Sequence, residues 1–256
     1  MNLKILGSVS PYPKGNCNCP GYLISDNNTD ILLDCGNGAL RLFDMNNLNR
    51  LKVIISHLHK DHYADLFSLA YATYVYHNLN LLDKRVEVYL PKANKLELLD
   101  YNFLTSLKQN YLRFIEYDEK NVITTKGMQV EFKRAKHDIN TYYAKVKNDK
   151  NSIVYSADTG YSEDLIDFAK KSDILICESS FLSYQKKDNN NHLSAREAGI
   201  IARCADTKKL ILTHFWPEVE KELYLQEAQK EFLNTEAAID GKVFKIGGNY
   251  ANRKRL

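Results

Sequence analysis

The segment His57-Leu58-His59-Lys60-Asp61-His62 places three imidazoles and one carboxylate within six consecutive residues. The chain of 256 residues has only seven histidines, so chance rarely produces such a cluster. It follows the apolar run LKVIIS (residues 51–56), which is typical of a buried strand. Residues two apart on an extended chain point the same way, so His57 and His59 can bind one ion. Asp61 and His62 begin the next helix and can reach a second ion.

The types of ligand in this segment indicate which metal it would bind. Imidazole and carboxylate together suit zinc, whereas magnesium and calcium prefer oxygen ligands alone. Two ions need more ligands than one segment supplies, and three further candidates stand where predicted strands end: His137, Asp158 and His214. Asp158 as a bridging carboxylate would hold the ions about 3.5–4 Å apart, as in two-metal hydrolases.

Strand-like and helix-like runs alternate along the rest of the chain. We predict strands over residues 3–7, 21–25, 30–34, 51–56, 86–91, 112–117, 128–135, 141–146, 152–158, 173–179, 209–214 and 241–247. We predict helices over residues 61–78, near 92–107, and over 163–171, 194–205 and 218–233. Two blocks of strands with helices favour two sheets packed face to face, with helices outside, in a single domain of residues 1–256. The pattern alone establishes only a mixture of α and β structure.

One more histidine stands close to a predicted helix start. Ser194 and Glu197 have the spacing of a capping box at the beginning of the helix predicted over 194–205. That local role explains the serine and the glutamate but not His192, which makes His192 a candidate for function. His77 lies within a tyrosine-rich helix and is assigned to the fold.

Composition excludes several classes of protein. The chain has 35 Lys+Arg against 32 Asp+Glu, a net charge of +3 that requires neither a nucleic acid nor a membrane as partner. No apolar run approaches the roughly 18 residues of a membrane span, and the N-terminus lacks the apolar core of a signal peptide. The five cysteines are odd in number and sparse, as expected of reduced thiols. We therefore expect a cytoplasmic protein.

The motif His-x-His-x-Asp-His, with the later His137, Asp158 and His214, resembles the metallo-β-lactamase superfamily along nearly the whole chain. Other stretches resemble its phosphodiesterase branch, which contains the tRNA 3′-processing endonuclease ribonuclease Z. These stretches are Leu32-Leu33-Asp34-Cys35-Gly36, Ser156-Ala157-Asp158-Thr159-Gly160, Glu178-Ser179-Ser180-Phe181, His192-Leu193-Ser194 and Leu212-Thr213-His214-Phe215. The resemblance implies an α+β fold, a four-layered αββα sandwich of two mixed β-sheets with helices outside.

The resemblance also implies two Zn²⁺ per chain and assigns their ligands. His57, His59 and His137 would bind the first ion, Asp61, His62 and His214 would bind the second, and Asp158 would bridge them. Asp34 would orient a ligand imidazole. His192 would donate a proton, with Glu178 as its support.

The chain departs from the family pattern at two places, and the first bears on which substrates it can process. Ribonuclease Z carries a long tRNA-binding arm between the motifs that match His137 and Asp158, but only 20 residues separate them here. That leaves no room for the arm, so processing of tRNA is not expected. The family's N-terminal Gly-Thr-Ser turn reads Gly7-Ser8-Val9-Ser10 in this chain.

The leading hypothesis is a zinc phosphodiesterase acting on RNA, a cyclic nucleotide or a small diester. A hydroxide shared by the ions would attack phosphorus, Asp61 would orient or deprotonate it, and His192 would protonate the leaving alkoxide. A lactone or thioester hydrolase would have the same metal site, but the sequence His192-Leu193-Ser194 resembles the phosphodiesterase pattern. A di-iron oxygen-reducing enzyme is disfavoured because that branch carries Glu where this chain has His59.

A third reading is a non-catalytic nucleic-acid-binding scaffold. Such members of the superfamily have lost ligands that this chain retains, and its charge is nearly balanced. The expected partner is thus a phosphodiester, including RNA or a nucleotide, with no membrane and with a homodimer left open.

Overall fold

The computed structural model of the protein describes residues 1–26, 28–93, 102, 111–186 and 191–247. Its strands are β1 (Asn2–Gly7), β2 (Gly21–Asp26), β3 (Thr29–Leu33), β4 (Leu51–Ile54), β5 (Val86–Pro91), β6 (Leu112–Tyr117), β7 (Val122–Thr124), β8 (Gln129–Arg134), β9 (Tyr142–Lys147), β10 (Ser152–Tyr155), β11 (Ile174–Glu178), β12 (Leu210–Thr213), β13 (Thr235–Ala237) and β14 (Val243–Lys245). Its α-helices are α1 (Lys60–Tyr63), α2 (Leu66–Asn78), α3 (Glu163–Ala169), α4 (Ala195–Cys204) and α5 (Lys221–Gln229), and 3₁₀-helices span Ala39–Leu42 and Met45–Arg50.

The strands form two mixed sheets of seven strands each, in the orders β14-β1-β2-β3-β4-β5-β6 and β13-β12-β11-β10-β9-β8-β7. In the first sheet β1, β2 and β3 pair antiparallel, and β3 to β6 pair parallel. In the second sheet β7 to β10 pair antiparallel, and β10 to β13 pair parallel. The α+β sandwich of two mixed sheets that the resemblance implies is confirmed.

Side chains on β3 show how the first sheet is covered on both faces. Ile31 and Leu33 belong to the core cluster that also contains Ile153 and Leu175 of the second sheet. Leu32, between them, belongs to a separate cluster with Leu69 of α2. Successive residues of a strand point to opposite faces, so a strand buried on both faces is apolar throughout.

The helix predicted over residues 61–78 is wrong as a single element, because the chain breaks it between α1 and α2. The backbone N–H of Asp65 donates to the carbonyl of Cys35 at 3.0 Å instead of continuing the helical ladder. Its carboxylate accepts a hydrogen bond from the N–H of Leu40 at 2.9 Å. These two contacts join the break to the loop after β3, and α1 becomes a separate turn that carries Asp61 and His62.

Other differences concern short elements and element ends. Strands β7 and β13 have three residues each, too few for a periodic pattern, and were not predicted. The predicted helix over 218–233 is shorter, spanning Lys221–Gln229. The capping box of Ser194 and Glu197 is confirmed at the start of α4. The helix predicted near 92–107 falls largely outside the described residues.

Within the described part of the chain, none of the helices combines the length and the apolar character needed to cross a lipid bilayer.

Candidate metal centre

The candidate ligands converge where strands of both sheets end. His57 and His59 follow β4 of the first sheet, and Asp61 and His62 lie in α1 just beyond them. The second sheet supplies His137, Asp158 and His214, from the loops after β8, β10 and β12 respectively. Loops that follow strand ends are a frequent location for functional residues. Both sheets therefore contribute candidate ligands to one polar cluster.

The seven predicted ligands form two groups in which all ligand atoms lie within 4.8 Å of one another. One group is His57, His59, His137 and Asp158, and the other is Asp61, His62 and His214.

Distances within each group match the edge of a zinc coordination tetrahedron. The Nδ1 atom of His59 lies 3.1 Å from Nε2 of His57 and 3.3 Å from Nε2 of His137. In the other group, the Nε2 atoms of His62 and His214 are 3.3 Å apart. Ligands about 2.0–2.1 Å from zinc in a tetrahedron are separated from one another by about 3.3–3.4 Å. These donors therefore fit that ion.

Asp158 lies between the two groups and faces both. Its Oδ2 atom is 3.5 Å from Nε2 of His57, and its Oδ1 atom is 3.4 Å from Nε2 of His62 and 3.1 Å from Nε2 of His214. The Oδ1 atom is buried and forms no hydrogen bond. A buried carboxylate oxygen without a hydrogen bond is costly unless a cation satisfies it, so this atom fits a metal ligand.

The charge states of the histidines differ between the groups. Burial is the main influence on His57 and lowers its pKa to about 3, so its imidazole is neutral. Burial also opposes protonation of His214, but Asp158 and Asp61 outweigh it and raise the pKa of His214 to about 10. A cation bound beside Asp158 would take the place of that proton, since metal ligands must be deprotonated.

Asp34 is buried at the end of β3 and orients His62 from behind. Its Oδ2 atom accepts hydrogen bonds from Nδ1 of His62 at 2.7 Å, from the hydroxyl of Tyr155 at 2.7 Å and from the hydroxyl of Ser56 at 2.8 Å. Its Oδ1 atom accepts from the backbone N–H of Ser56 at 2.7 Å. With Nδ1 held by Asp34, the Nε2 atom of His62 faces the other ligands.

His192 is held by Glu178 at the edge of the same site. The Nδ1 atom of His192 donates to Oε1 of Glu178 at 2.9 Å, and the same oxygen accepts from the N–H of Thr159 at 2.8 Å. The second oxygen accepts from the N–H groups of Ser180 at 3.2 Å and Leu193 at 3.1 Å. Burial opposes protonation of His192, but Glu178 outweighs it and raises the pKa of His192. This pair therefore favours the protonated imidazole that a proton donor needs.

The geometry leaves a second role for His192. With Asp158 and His214 it forms a third group whose ligand atoms lie within 4.8 Å of one another. His192 is therefore placed to bind an ion as well as to donate a proton, and the metal content of a His192 variant distinguishes the two roles.

A cleft of about 210 Å³ opens over these residues. Its walls include Ser10, Pro11, Phe181 and Trp216, none of which was predicted as a site residue. The hydroxyl of Ser10 donates to Oδ2 of Asp61 at 2.5 Å. Ser10 lies in the Gly7-Ser8-Val9-Ser10 stretch, so the departure from the family turn was the signal that pointed to this segment.

Comparisons with known proteins agree with this arrangement. Residues 29–215 match the family described as Beta-lactamase superfamily domain. "Probable metallo-hydrolase YhfI" of Bacillus subtilis is 28% identical over 241 residues, covering 93% of this chain and 96% of that protein. The ribonuclease Z of Archaeoglobus fulgidus is 26% identical over 298 residues, covering 93% of this chain and 95% of that protein.

Comparison with solved structures also identifies proteins of the metallo-β-lactamase fold as similar to this chain. The crystal structure of the metallo-beta-lactamase fold protein YhfI from Bacillus subtilis superposes with a TM-score of 0.86 at 26% identity, covering 95% of this chain and 98% of that one. The short form of human tRNase Z superposes with a TM-score of 0.73, covering 96% of this chain and 99% of that one. Its 21% identity shows a shared fold alone.

Proposed function

The chain belongs to the β-lactamase superfamily and is a metallo-hydrolase of it, and from this premise we propose that it is a phosphodiesterase that uses two zinc ions. The observation that carries the proposal is the position of Asp158, whose two oxygens face separate groups of ligands. We propose His57, His59 and His137 as ligands of one ion, Asp61, His62 and His214 as ligands of the other, and Asp158 as a ligand of both. When bound, the two ions would activate a water molecule and stabilise negative charge that develops on a phosphoryl group.

The chain's own residues would orient the attacking water and supply a proton. Burial disfavours ionisation of Asp61, but His62 and His214 outweigh it and lower the pKa of Asp61, so this carboxylate stays ionised and can accept a hydrogen bond from water. The hydroxyl of Ser10 fixes the position of the same carboxylate.

The position of His192 at the edge of the site favours cleavage of a phosphodiester over hydrolysis of a lactone or thioester. An unactivated diester releases a poor alkoxide leaving group, and a general acid held in place lowers the barrier to that step. Glu178 binds Nδ1 of His192, so Nε2 is the nitrogen that can serve a leaving group. The scaffold alternative receives no support, because the seven candidate ligands are all present and close together.

A panel of substrates tests the proposed function. Purified protein should hydrolyse bis(p-nitrophenyl) phosphate or cyclic nucleotides, and should do so better than it hydrolyses an acyl lactone. Activity on the lactone alone would replace the phosphodiesterase by the second hydrolase class. Absence of any hydrolysis by protein that carries its metal would favour the scaffold.

We expect poor processing of precursor tRNA. Most of residues 138–157 form the antiparallel pair β9 and β10 together with the turn between them, which leaves no segment for a tRNA-binding arm. Binding energy from remote contacts positions a large substrate, and poor positioning can cost on the order of 10²-fold in rate. Cleavage of a precursor tRNA should be compared with that by an arm-bearing ribonuclease Z in the same assay. Efficient and accurate 3′ cleavage by this protein would contradict the prediction.

Asp34→Asn should weaken binding of one zinc ion by about 10–100-fold. An amide cannot accept all four hydrogen bonds that Asp34 now accepts, and one of these orients His62. Competition with a chromophoric zinc chelator measures this affinity. Asp30→Asn provides a matched control, since Asp30 is a buried carboxylate of β3 that pairs with Arg50 at 3.1 Å. Equal zinc affinity in the two variants would show that Asp34 has no such role.

A further inference from the structure

One wall of the cleft above the candidate metal centre is aromatic. Phe181 and Trp216 both line the cleft, and their ring centroids are 5.1 Å apart with an interplanar angle of 71°. Trp216 is 40% exposed, whereas the adjacent Phe215 is fully buried. A large indole that remains exposed beside a polar site can still gain by burial against a ligand.

Backbone hydrogen bonds anchor the segments that carry both rings. The carbonyl of Phe215 accepts a hydrogen bond from the N–H of Ser10 at 2.9 Å, and the N–H of Phe215 donates to the carbonyl of Ser8 at 3.1 Å. On the other side, the carbonyl of Phe181 accepts from the N–H of Ala195 at 2.9 Å. A binding site whose backbone is already ordered pays a smaller entropy cost when a flat group stacks there.

The aromatic wall adjoins the residues that would meet a phosphate. Trp216 lies two residues after His214, and the ring centroid of Phe181 is 6.1 Å from that of His192. A phosphodiester whose phosphorus lies at the candidate ligands therefore has one substituent next to these rings. A planar base gains stacking there that a small alkyl substituent does not.

We propose that Phe181 and Trp216 bind the base of the substrate, and that the substrates are nucleoside phosphodiesters rather than small alkyl diesters. This inference rests on the proposed phosphodiesterase for its reaction, but the binding of a base can be measured without turnover. The base would stack on the indole of Trp216, and Phe181 would hold the indole in place and close the cleft on its far side.

Intrinsic fluorescence provides a direct test, because Trp216 is the chain's single tryptophan. Adenosine 5′-monophosphate should quench this fluorescence in a saturable way, and ribose 5-phosphate, which lacks the base, should bind at least about tenfold more weakly. Equal affinity for the two ligands would overturn the inference.

A second cavity also borders Trp216 and must be distinguished from the first. It is lined by Lys14, Cys17 and Lys221, among others, but not by Phe181. Phe181→Leu should therefore weaken the binding of adenosine 5′-monophosphate if the base lies in the cleft. Unchanged affinity in this variant would place the base in the second cavity and refute the assignment.

Kinetics provides a further test with two substrates that share a leaving group. Trp216→Ala should reduce the ratio of kcat/KM for thymidine 5′-(p-nitrophenyl phosphate) to that for methyl p-nitrophenyl phosphate by about tenfold to a hundredfold, mainly through KM. Trp216→Phe should restore part of that ratio, which controls for misfolding of the alanine variant. Tyr71→Ala removes an exposed aromatic of α2 that does not line the cleft and should leave the ratio unchanged.

A ratio unchanged in Trp216→Ala would refute the inference even if both substrates are cleaved. Suppose that neither diester is cleaved but adenosine 5′-monophosphate still quenches the fluorescence of Trp216 more strongly than ribose 5-phosphate does. The proposed phosphodiesterase activity is then refuted, whereas the role of Phe181 and Trp216 in binding a base is supported.

Discussion

Asp158→Ala is expected to remove more than one metal ion per chain and to abolish hydrolysis. The unsubstituted protein should carry close to two ions, chiefly zinc, because the described residues offer two groups of ligands. Asp158 faces both groups, so its loss removes a ligand from each and also the charge that offsets two cations. Elemental analysis after exhaustive dialysis measures the metal content of each variant.

His59→Ala is the matched control for this experiment, since His59 belongs to one group alone. It should lose about one ion, clearly fewer than Asp158→Ala. Two ions retained by Asp158→Ala, or one ion in the unsubstituted protein, would refute the bridging role.

His192→Ala should keep both ions and the fold but lose about 10²–10⁴-fold in turnover of diesters with poor alkoxide leaving groups. The loss should be smaller for p-nitrophenyl esters, whose leaving group needs no proton. Because the effect is on a chemical step, it should appear mainly in kcat. Parallel assays of an unactivated diester and of bis(p-nitrophenyl) phosphate measure the difference.

His77→Ala serves as the control, since His77 lies on α2 and stacks on Tyr111 away from the cleft. Loss of an ion from His192→Ala would identify His192 as a ligand instead of a proton donor. Undiminished activity on the unactivated diester would exclude it from the mechanism and remove the main reason to prefer a phosphodiesterase over a lactonase.

The sequence predicts those parts of the site that depend on local spacing. His57 to His62 are close in the chain, and the strands that end before His137, Asp158 and His214 are long enough to show their pattern. Strands β8, β10 and β12 run in the same direction in the second sheet, with one strand between each, so the residues after them meet at one edge of that sheet.

Contacts between distant segments could not be predicted in this way. Ser10 reaches Asp61 across 51 positions, and Tyr155 reaches Asp34 across 121. The break at Asp65 depends on the loop after β3, which competes for the backbone N–H that would continue the helix. The periodic pattern of a single segment cannot predict that a distant loop will compete for its backbone hydrogen bonds.

The division of the candidate ligands between the two sheets links metal supply to folding. Ions bound by residues from both sheets would act as cross-links that exist in the native state and not in the unfolded chain. By thermodynamic linkage, a ligand at about 100 times its dissociation constant stabilises the native state by about 2.7 kcal/mol. The fraction of folded protein in a cell would then follow the availability of zinc, and zinc starvation would lower the amount of folded protein as well as its turnover of substrate.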